Sequence, residues 1–159
     1  MKFVVDSMLG RLATWLRVLG YDTHYQSYYL DEEIVGLMRQ NRWLATRRST
    51  RWEQCRKTVC LHSEQVGEQL KELLAKLELQ PEFSGWFTRC LRCNVILETV
   101  ADEEAMEKVP EYVFYQSRGK IKVCRSCGRY LWPGSHRNRM LKQLTAWGFA
   151  LGNDSYDLT

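Results

Sequence analysis

The chain has 159 residues, 45% of them hydrophobic, enough for one buried core and a small appendage. Lys and Arg outnumber Asp and Glu by 23 to 19, a formal charge of +4 that is compatible with a polyanionic partner without requiring one. No run approaches the roughly 18 apolar residues of a membrane span, and the acid at Asp6, where a signal peptide would be apolar, leads us to expect a cytoplasmic chain with reduced thiols.

Lys2 to Val5 is a short apolar run and reads as a buried first strand ending at Asp6. Met8, Leu9, Leu12, Trp15, Leu16 and Leu19 then recur at helical spacing, with Arg11, Thr14 and Arg17 off that stripe and Gly20 closing the helix. Thr23 to Tyr28 reads as a second strand, and Asp31 as the cap of a helix presenting Ile34, Leu37 and Met38. Trp43 to Thr46 is a third strand, Thr50 to Lys57 a basic helical turn, and Val59 to Leu61 a fourth strand. Ser63 is read as the cap of an amphipathic helix through Leu77. Strand alternating with helix predicts an α/β fold, a parallel sheet flanked by helices.

Pro81 to Gly85 breaks this pattern, so the expected division is residues 1–80, a small module over 81–135, and a C-terminal helix with a polar tail over 136–159. The module holds Cys90-Leu91-Arg92-Cys93 and Cys124-Arg125-Ser126-Cys127. Two residues between cysteines let both thiolates of a tight turn face one ion, and two such turns close a four-sulfur shell, the design of a structural Zn²⁺ site. Strand-like runs at Val95 to Val100, Tyr112 to Tyr115 and Lys120 to Val123 complete the reading as a small zinc ribbon. Ser135 is the expected cap of the last helix, from about His136 to Trp147. Cys55 and Cys60 fall outside the paired pattern and read as inert thiols.

In an open parallel sheet, ligands gather beyond the carboxyl ends of the strands. Asp6 ends the first strand, Asp31, Glu32 and Glu33 follow the second, and Arg47 and Arg48 follow the third. Carboxylates on such an edge are able to hold Mg²⁺ or Mn²⁺ for phosphodiester cleavage, although Asp31 to Glu33 also suit an acidic first helical turn. Asp22 precedes its strand and reads as a turn residue at the opposite edge. Arginines from Arg39 to Arg56 interleaved with Trp43 and Trp52, and a second basic stretch from Arg118 to Lys142 with Tyr130 and Trp132, match a phosphate-binding surface with stacking platforms. Solvated faces over core tryptophans are the plainer alternative. His24 and His62 are isolated in sequence, which gives a nucleophile triad little support.

The opening from Phe3-Val4-Val5-Asp6 through Leu9-Gly10-Arg11-Leu12 to Leu19-Gly20-Tyr21-Asp22 resembles the signature of the Mut-seven C-terminal RNase domain family. Leu44-Ala45-Thr46-Arg47, Arg89-Cys90-Leu91-Arg92-Cys93-Asn94, Val109-Pro110-Glu111-Tyr112-Val113 and the stretch from Cys124 through Gly128-Arg129-Tyr130-Leu131-Trp132-Pro133-Gly134 to His136 continue it over nearly the whole chain. The resemblance implies a PIN-like nuclease fold followed by a zinc ribbon, RNA as substrate, and Asp6 as lead metal ligand with Asp31 and Glu32 beside it. Arg11, Arg47 and Arg48 become the expected RNA-binding residues, and ribosomal or transfer RNA the candidate partners. One departure matters. Where such sequences read Thr-Arg-Asp after the third strand, this chain reads Thr46-Arg47-Arg48, which removes a carboxylate and adds a positive charge. Glu53 lies a little further on and carries a replacement oxygen, but its spacing gives that role no warrant. Two functions therefore remain in view: a metal-dependent endoribonuclease, and an RNA- or ribosome-binding adaptor in which Arg48 clamps phosphate and cleavage is impaired. A DNA-binding zinc protein is less well supported, since the ribbon offers no recognition helix.

Overall fold

The computed structural model describes residues 1–52 and 54–149, apart from the side chains of Ser49 and Thr50; the expectations placed on Glu53 and on the tail from Gly152 lie outside the described residues. The chain forms two compact units, the first ending at Val95 and the second beginning at Ile96.

The first unit runs β1 (Lys2–Val5), a 3-10 turn (Ser7–Leu9), α1 (Gly10–Val18), β2 (Asp22–Tyr25), α2 (Asp31–Arg39), β3 (Trp43–Thr46), α3 (Ser49–Trp52), β4 (Thr58–Cys60) and α4 (Val66–Lys76). Its four strands are parallel in the order β2-β1-β3-β4, as the alternation of strand and helix predicts. Phe3, Val4, Val5, Leu44 and Ala45 are all at 0% exposure. Strands covered on both faces carry continuous apolar runs, which is why β1 and β3 are legible from composition. Val4 and Leu44 are registered opposite each other and pack with Ile34 of α2 and with Trp52. Helices α1 and α4 pack on one another, and Leu12, Leu16, Leu70 and Leu73 between them are fully shielded.

Helix α1 stops as expected at Gly20. The Tyr21 amide donates to the Leu16 carbonyl and the Gly20 amide to the Arg17 carbonyl, with Gly20 at φ +91°. A side chain on Gly20 would also strike the backbone carbonyl of Gly85.

Several boundaries differ from the sequence reading. Met8 belongs to the 3-10 turn and is exposed, so it does not join the apolar stripe of α1. Asp31 is the first residue of α2 rather than its cap; the Glu33 carboxylate reaches back to the Leu30 amide at 2.7 Å. Helix α4 starts at Val66, and the Ser63 hydroxyl instead donates to Glu72. Ser135 is likewise inside its helix, whose cap is Gly134.

The second unit contains β5 (Glu98–Thr99), α5 (Asp102–Lys108), α6 (Glu111–Ser117), β6 (Lys122–Val123), β7 (Tyr130–Leu131) and α7 (Ser135–Ala146). Its three strands are antiparallel in the order β5-β6-β7. Val100, Ala105, Val109, Val113, Phe114, Ile121 and Val123 form its core. The expected strand at Tyr112 to Tyr115 is instead part of α6. Its β-favouring residues obey a helical burial pattern, with Val113, Phe114 and Ser117 inside and Tyr112 and Tyr115 exposed, so packing overrides propensity. No described helix is long and apolar enough to cross a membrane.

Candidate functional site

The two CxxC turns have the same local design. The Asn94 amide donates to the Cys90 carbonyl and the Cys90 amide to the Val95 carbonyl; the Gly128 amide donates to the Cys124 carbonyl and the Cys124 amide to the Arg129 carbonyl. In each turn the residue after the second cysteine takes a left-handed conformation, Asn94 at φ 64° and Gly128 at φ 71°. Cys90, Cys93, Cys124 and Cys127 place their ligand sulfurs within 4.8 Å of one another. A tetrahedral Zn²⁺ with bonds near 2.3 Å separates its sulfurs by about 3.8 Å, so this cluster fits a structural metal of that kind with no open position. Cys90 and Cys124 are buried, so bonds from their sulfurs to such a metal would be shielded from water.

The amino-terminal edge of the parallel sheet holds the first cysteine turn in place. Arg17, counted off the apolar stripe of α1 in sequence, is only 7% exposed. Its guanidinium donates to the carbonyls of Thr23 at 2.9 and 3.0 Å, Leu91 at 2.7 Å and Arg92 at 3.1 Å. Burial pushes the Arg17 pKa below its usual value, with Cys90 the leading group opposing it. Asn94 accepts from the Thr23 amide and donates to Asp22, while Arg89 donates to the carbonyls of Gly20 and Asn94. Asp22 is more than a turn residue: Arg42 donates to both of its carboxylate oxygens, at 2.7 and 3.3 Å.

The carboxyl-terminal edge is where the sequence places its candidates. Because β1 leads to β2 on one side and β3 lies on its other side, the ends of β1 and β3 flank the point where strand order reverses, the usual position of a ligand crevice. Asp6 is 3% exposed there, and its amide extends the ladder to the Ala45 carbonyl. One carboxylate oxygen accepts from the Thr46 hydroxyl at 2.7 Å and faces Arg48 Nε at 3.5 Å; the other accepts from the Ser7 hydroxyl at 3.2 Å. The Arg48 amide donates to the Thr46 hydroxyl oxygen, so Thr46 links backbone and carboxylate in one chain of hydrogen bonds. Arg48 itself is 49% exposed, and Arg47 reaches Glu64 at 3.5 Å.

The remaining candidates are dispersed. Asp31 is ion-paired with Arg51, Glu32 and Arg11 are exposed, and among the described residues the metal-sized group of acids, histidines or cysteines is that of the four cysteines. The structure therefore brings together Asp6 and Arg48 but does not gather Asp6, Asp31 and Glu32 into one cluster. A single carboxylate already bonded by two hydroxyls and faced by a guanidinium is a poor donor set for Mg²⁺ or Mn²⁺, which require several oxygens. Trp52 is buried in the core, so it is no stacking platform, while Tyr28, in the loop after β2, is highly exposed. The partners Thr46 and Ser7 were missed in sequence because single hydroxyl residues carry no spacing signal; only the position of Thr46 at a strand end marked it.

Comparison with sequence families finds a match of residues 1–144 to the model described as the Mut7-C RNAse domain. Comparison with curated proteins finds no match.

Proposed function

The chain belongs to the Mut7-C RNAse domain family, and from that premise we propose that it binds RNA in the crevice between the ends of β1 and β3, with Arg48 and Arg47 on the phosphates and metal-dependent hydrolysis curtailed. The observation that carries this reading is the Asp6–Arg48 pair. A divalent cation about 4 Å from the Arg48 charge would meet a repulsion on the order of 8 kcal/mol at an effective dielectric of 20. A phosphate oxygen at the same place is attracted instead, and the planar fork of arginine suits it. Asp6, anchored by Thr46 and Ser7, orients that fork rather than holding a metal. Arg11 on α1 supplies a further cation, and exposed Tyr28 offers a face on which a base stacks. The four-cysteine cluster takes Zn²⁺ and serves structure. A cytoplasmic setting, with ribosomal or transfer RNA as partner, fits the reduced thiols.

Family membership and the burial of Asp6 at the strand-order reversal favour a second reading, a metal-dependent endoribonuclease in which Asp6, Asp31 and Glu32 hold Mg²⁺ or Mn²⁺ once Arg48 swings outward. One experiment separates the two. Zinc-loaded wild type, Asp6→Ala and Arg48→Asp are each offered labelled single-stranded and structured RNAs with and without Mn²⁺. The RNA-binding reading expects tight RNA binding by wild type, no Mn²⁺-stimulated cutting, and cutting gained in Arg48→Asp. Mn²⁺-stimulated cutting by wild type that disappears in Asp6→Ala establishes the second reading.

A further inference from the structure

His62 stands alone in the sequence but not in the fold. It lies just beyond β4, at the carboxyl-terminal edge of the sheet. Its Nδ1 is 2.9 Å from a carboxylate oxygen of Glu72, and the same carboxylate accepts from the backbone amides of His62 and Ser63, from the Ser63 hydroxyl and from Lys76 Nζ. Those donors hold the Glu72 pKa at about 2, the opposing influence being burial. A carboxylate fixed in this way selects the imidazole tautomer with its proton on Nδ1 and leaves the lone pair of Nε2 outward. The His62 side chain is 77% exposed, and no described residue occupies Nε2.

Register places this group beside the phosphate-binding arginines. Thr46 pairs with Cys60 across β3 and β4, and the Leu61 amide donates to the Thr46 carbonyl. Arg48 is two residues beyond Thr46, as His62 is two residues beyond Cys60, and neighbouring strands are about 5 Å apart. The Arg47–Glu64 pair ties the two exit loops together. An imidazole with a fixed tautomer and two half-exposed guanidiniums thus share adjacent exits of one sheet edge.

We propose that His62, oriented by Glu72, is the general base of a metal-free cleavage of RNA at this crevice, acting on the ribose 2′-hydroxyl. The proposal rests on the RNA reading above and adds a chemistry to it. His62 Nε2 takes the 2′-hydroxyl proton, the 2′-oxygen forms a bond to phosphorus, and the bond from phosphorus to the 5′-oxygen breaks. The 5′-oxygen takes a proton from water, and the resulting hydroxide recovers the proton from His62. The net change is an isomerisation of RNA into a 2′,3′-cyclic phosphate and a 5′-hydroxyl, with no water consumed and no metal required. Arg47 and Arg48 neutralise the charge that grows on the phosphate oxygens. Glu72 is a positioning residue that never meets the substrate.

The test uses the zinc-loaded chain in buffer freed of Mg²⁺ and Mn²⁺, with a 5′-labelled single-stranded RNA and the same strand carrying a single 2′-deoxy position. Wild type is expected to produce cyclic-phosphate ends, to spare the deoxy position, and to lose about 100-fold in rate in His62→Gly with RNA affinity retained. Added imidazole should restore the His62→Gly rate, which a contaminating nuclease would not show. Glu72→Gln should lower kcat while leaving KM in place. RNA that is bound yet left intact, or cut equally by His62→Gly, or cut only with Mn²⁺, overturns the His62 assignment and leaves RNA binding standing. RNA that is neither bound nor cut overturns both.

Discussion

Two aspartate–arginine pairs sit at opposite ends of the same parallel sheet and are built for different purposes. At the amino-terminal edge Arg42 donates to both carboxylate oxygens of Asp22, at 2.7 and 3.3 Å, with side-chain exposures of 17% for Asp22 and 13% for Arg42. At the carboxyl-terminal edge Asp6 is as well buried, but Arg48 approaches one oxygen at 3.5 Å and is half in water. The first pair is further tied to Asn94, and through it to the first cysteine turn. In the second, the buried carboxylate is tied to two hydroxyls and the guanidinium is half exposed. A buried, bidentate ion pair resists exchange for any ligand, whereas a looser pair with one half-exposed partner exchanges it at smaller cost. One edge of the sheet fastens the fold, and the other is left available for binding.

The largest break in this contrast is expected from removing the Zn²⁺ proposed for the four-cysteine cluster. Structural Zn²⁺ sites contribute on the order of 10 kcal/mol to folding, and the first cysteine turn is part of the amino-terminal edge through Arg17 and Asn94. Chelation, or Cys90→Ser, is therefore expected to strip hydrogen-exchange protection from the amides of Thr23 and Asn94. The amides of Asp6 and Leu61, bonded to Ala45 and Thr46 carbonyls at the other edge, should keep theirs. Equal loss at both edges would show that the two are not separable in this way.

A smaller effect separates the pairs by acid. Burial works to raise the Asp22 pKa, but hydrogen bonds from Arg42 and Asn94 prevail and hold it below its usual value. A carboxyl whose folded pKa is depressed stabilises fully above its unfolded pKa, near 3.9, and that contribution is lost as pH falls through the folded value. Asp22→Ala should cost about 3 kcal/mol at neutral pH, since it strands a buried guanidinium. The gap in stability between wild type and Asp22→Asn, followed by urea unfolding, should be constant from neutrality to about pH 4 and shrink below it. A gap independent of pH down to 2 would mean that the Asp22 charge adds nothing.

The sequence carries these two edges unequally. Strand and helix order in the first unit is legible because β1 and β3 are unbroken apolar runs and α1 ends on a required glycine. The four-cysteine cluster is legible because ligand spacing is a local signal. Arg17 is not: it lies off the apolar stripe, and the carbonyls it bonds, those of Thr23, Leu91 and Arg92, are brought to it by the fold rather than by any local spacing. Helix α5 has no counterpart in the sequence reading, although Asp102, Glu103 and Glu104 in its first turn and Lys108 in its last are the charge pattern of a short helix. The His62–Glu72 pair joins a loop to a helix ten residues later, a separation that no motif encodes.

The smallest change in stability should accompany the largest change in binding. Arg48→Ala removes a half-exposed partner of Asp6, a loss of at most about 1 kcal/mol in folding stability. If Arg48 contacts one phosphate, the slope of log affinity against log salt for single-stranded RNA should fall by about 0.7. Arg42→Ala is the matched control: its guanidinium is buried at the amino-terminal edge, so it should destabilise the fold and leave the salt slope of the folded protein unchanged. An unchanged slope in Arg48→Ala would leave the carboxyl-terminal edge without its phosphate contact. A slope lowered equally in both variants would mean that RNA is held by the charge of the chain as a whole rather than by this crevice.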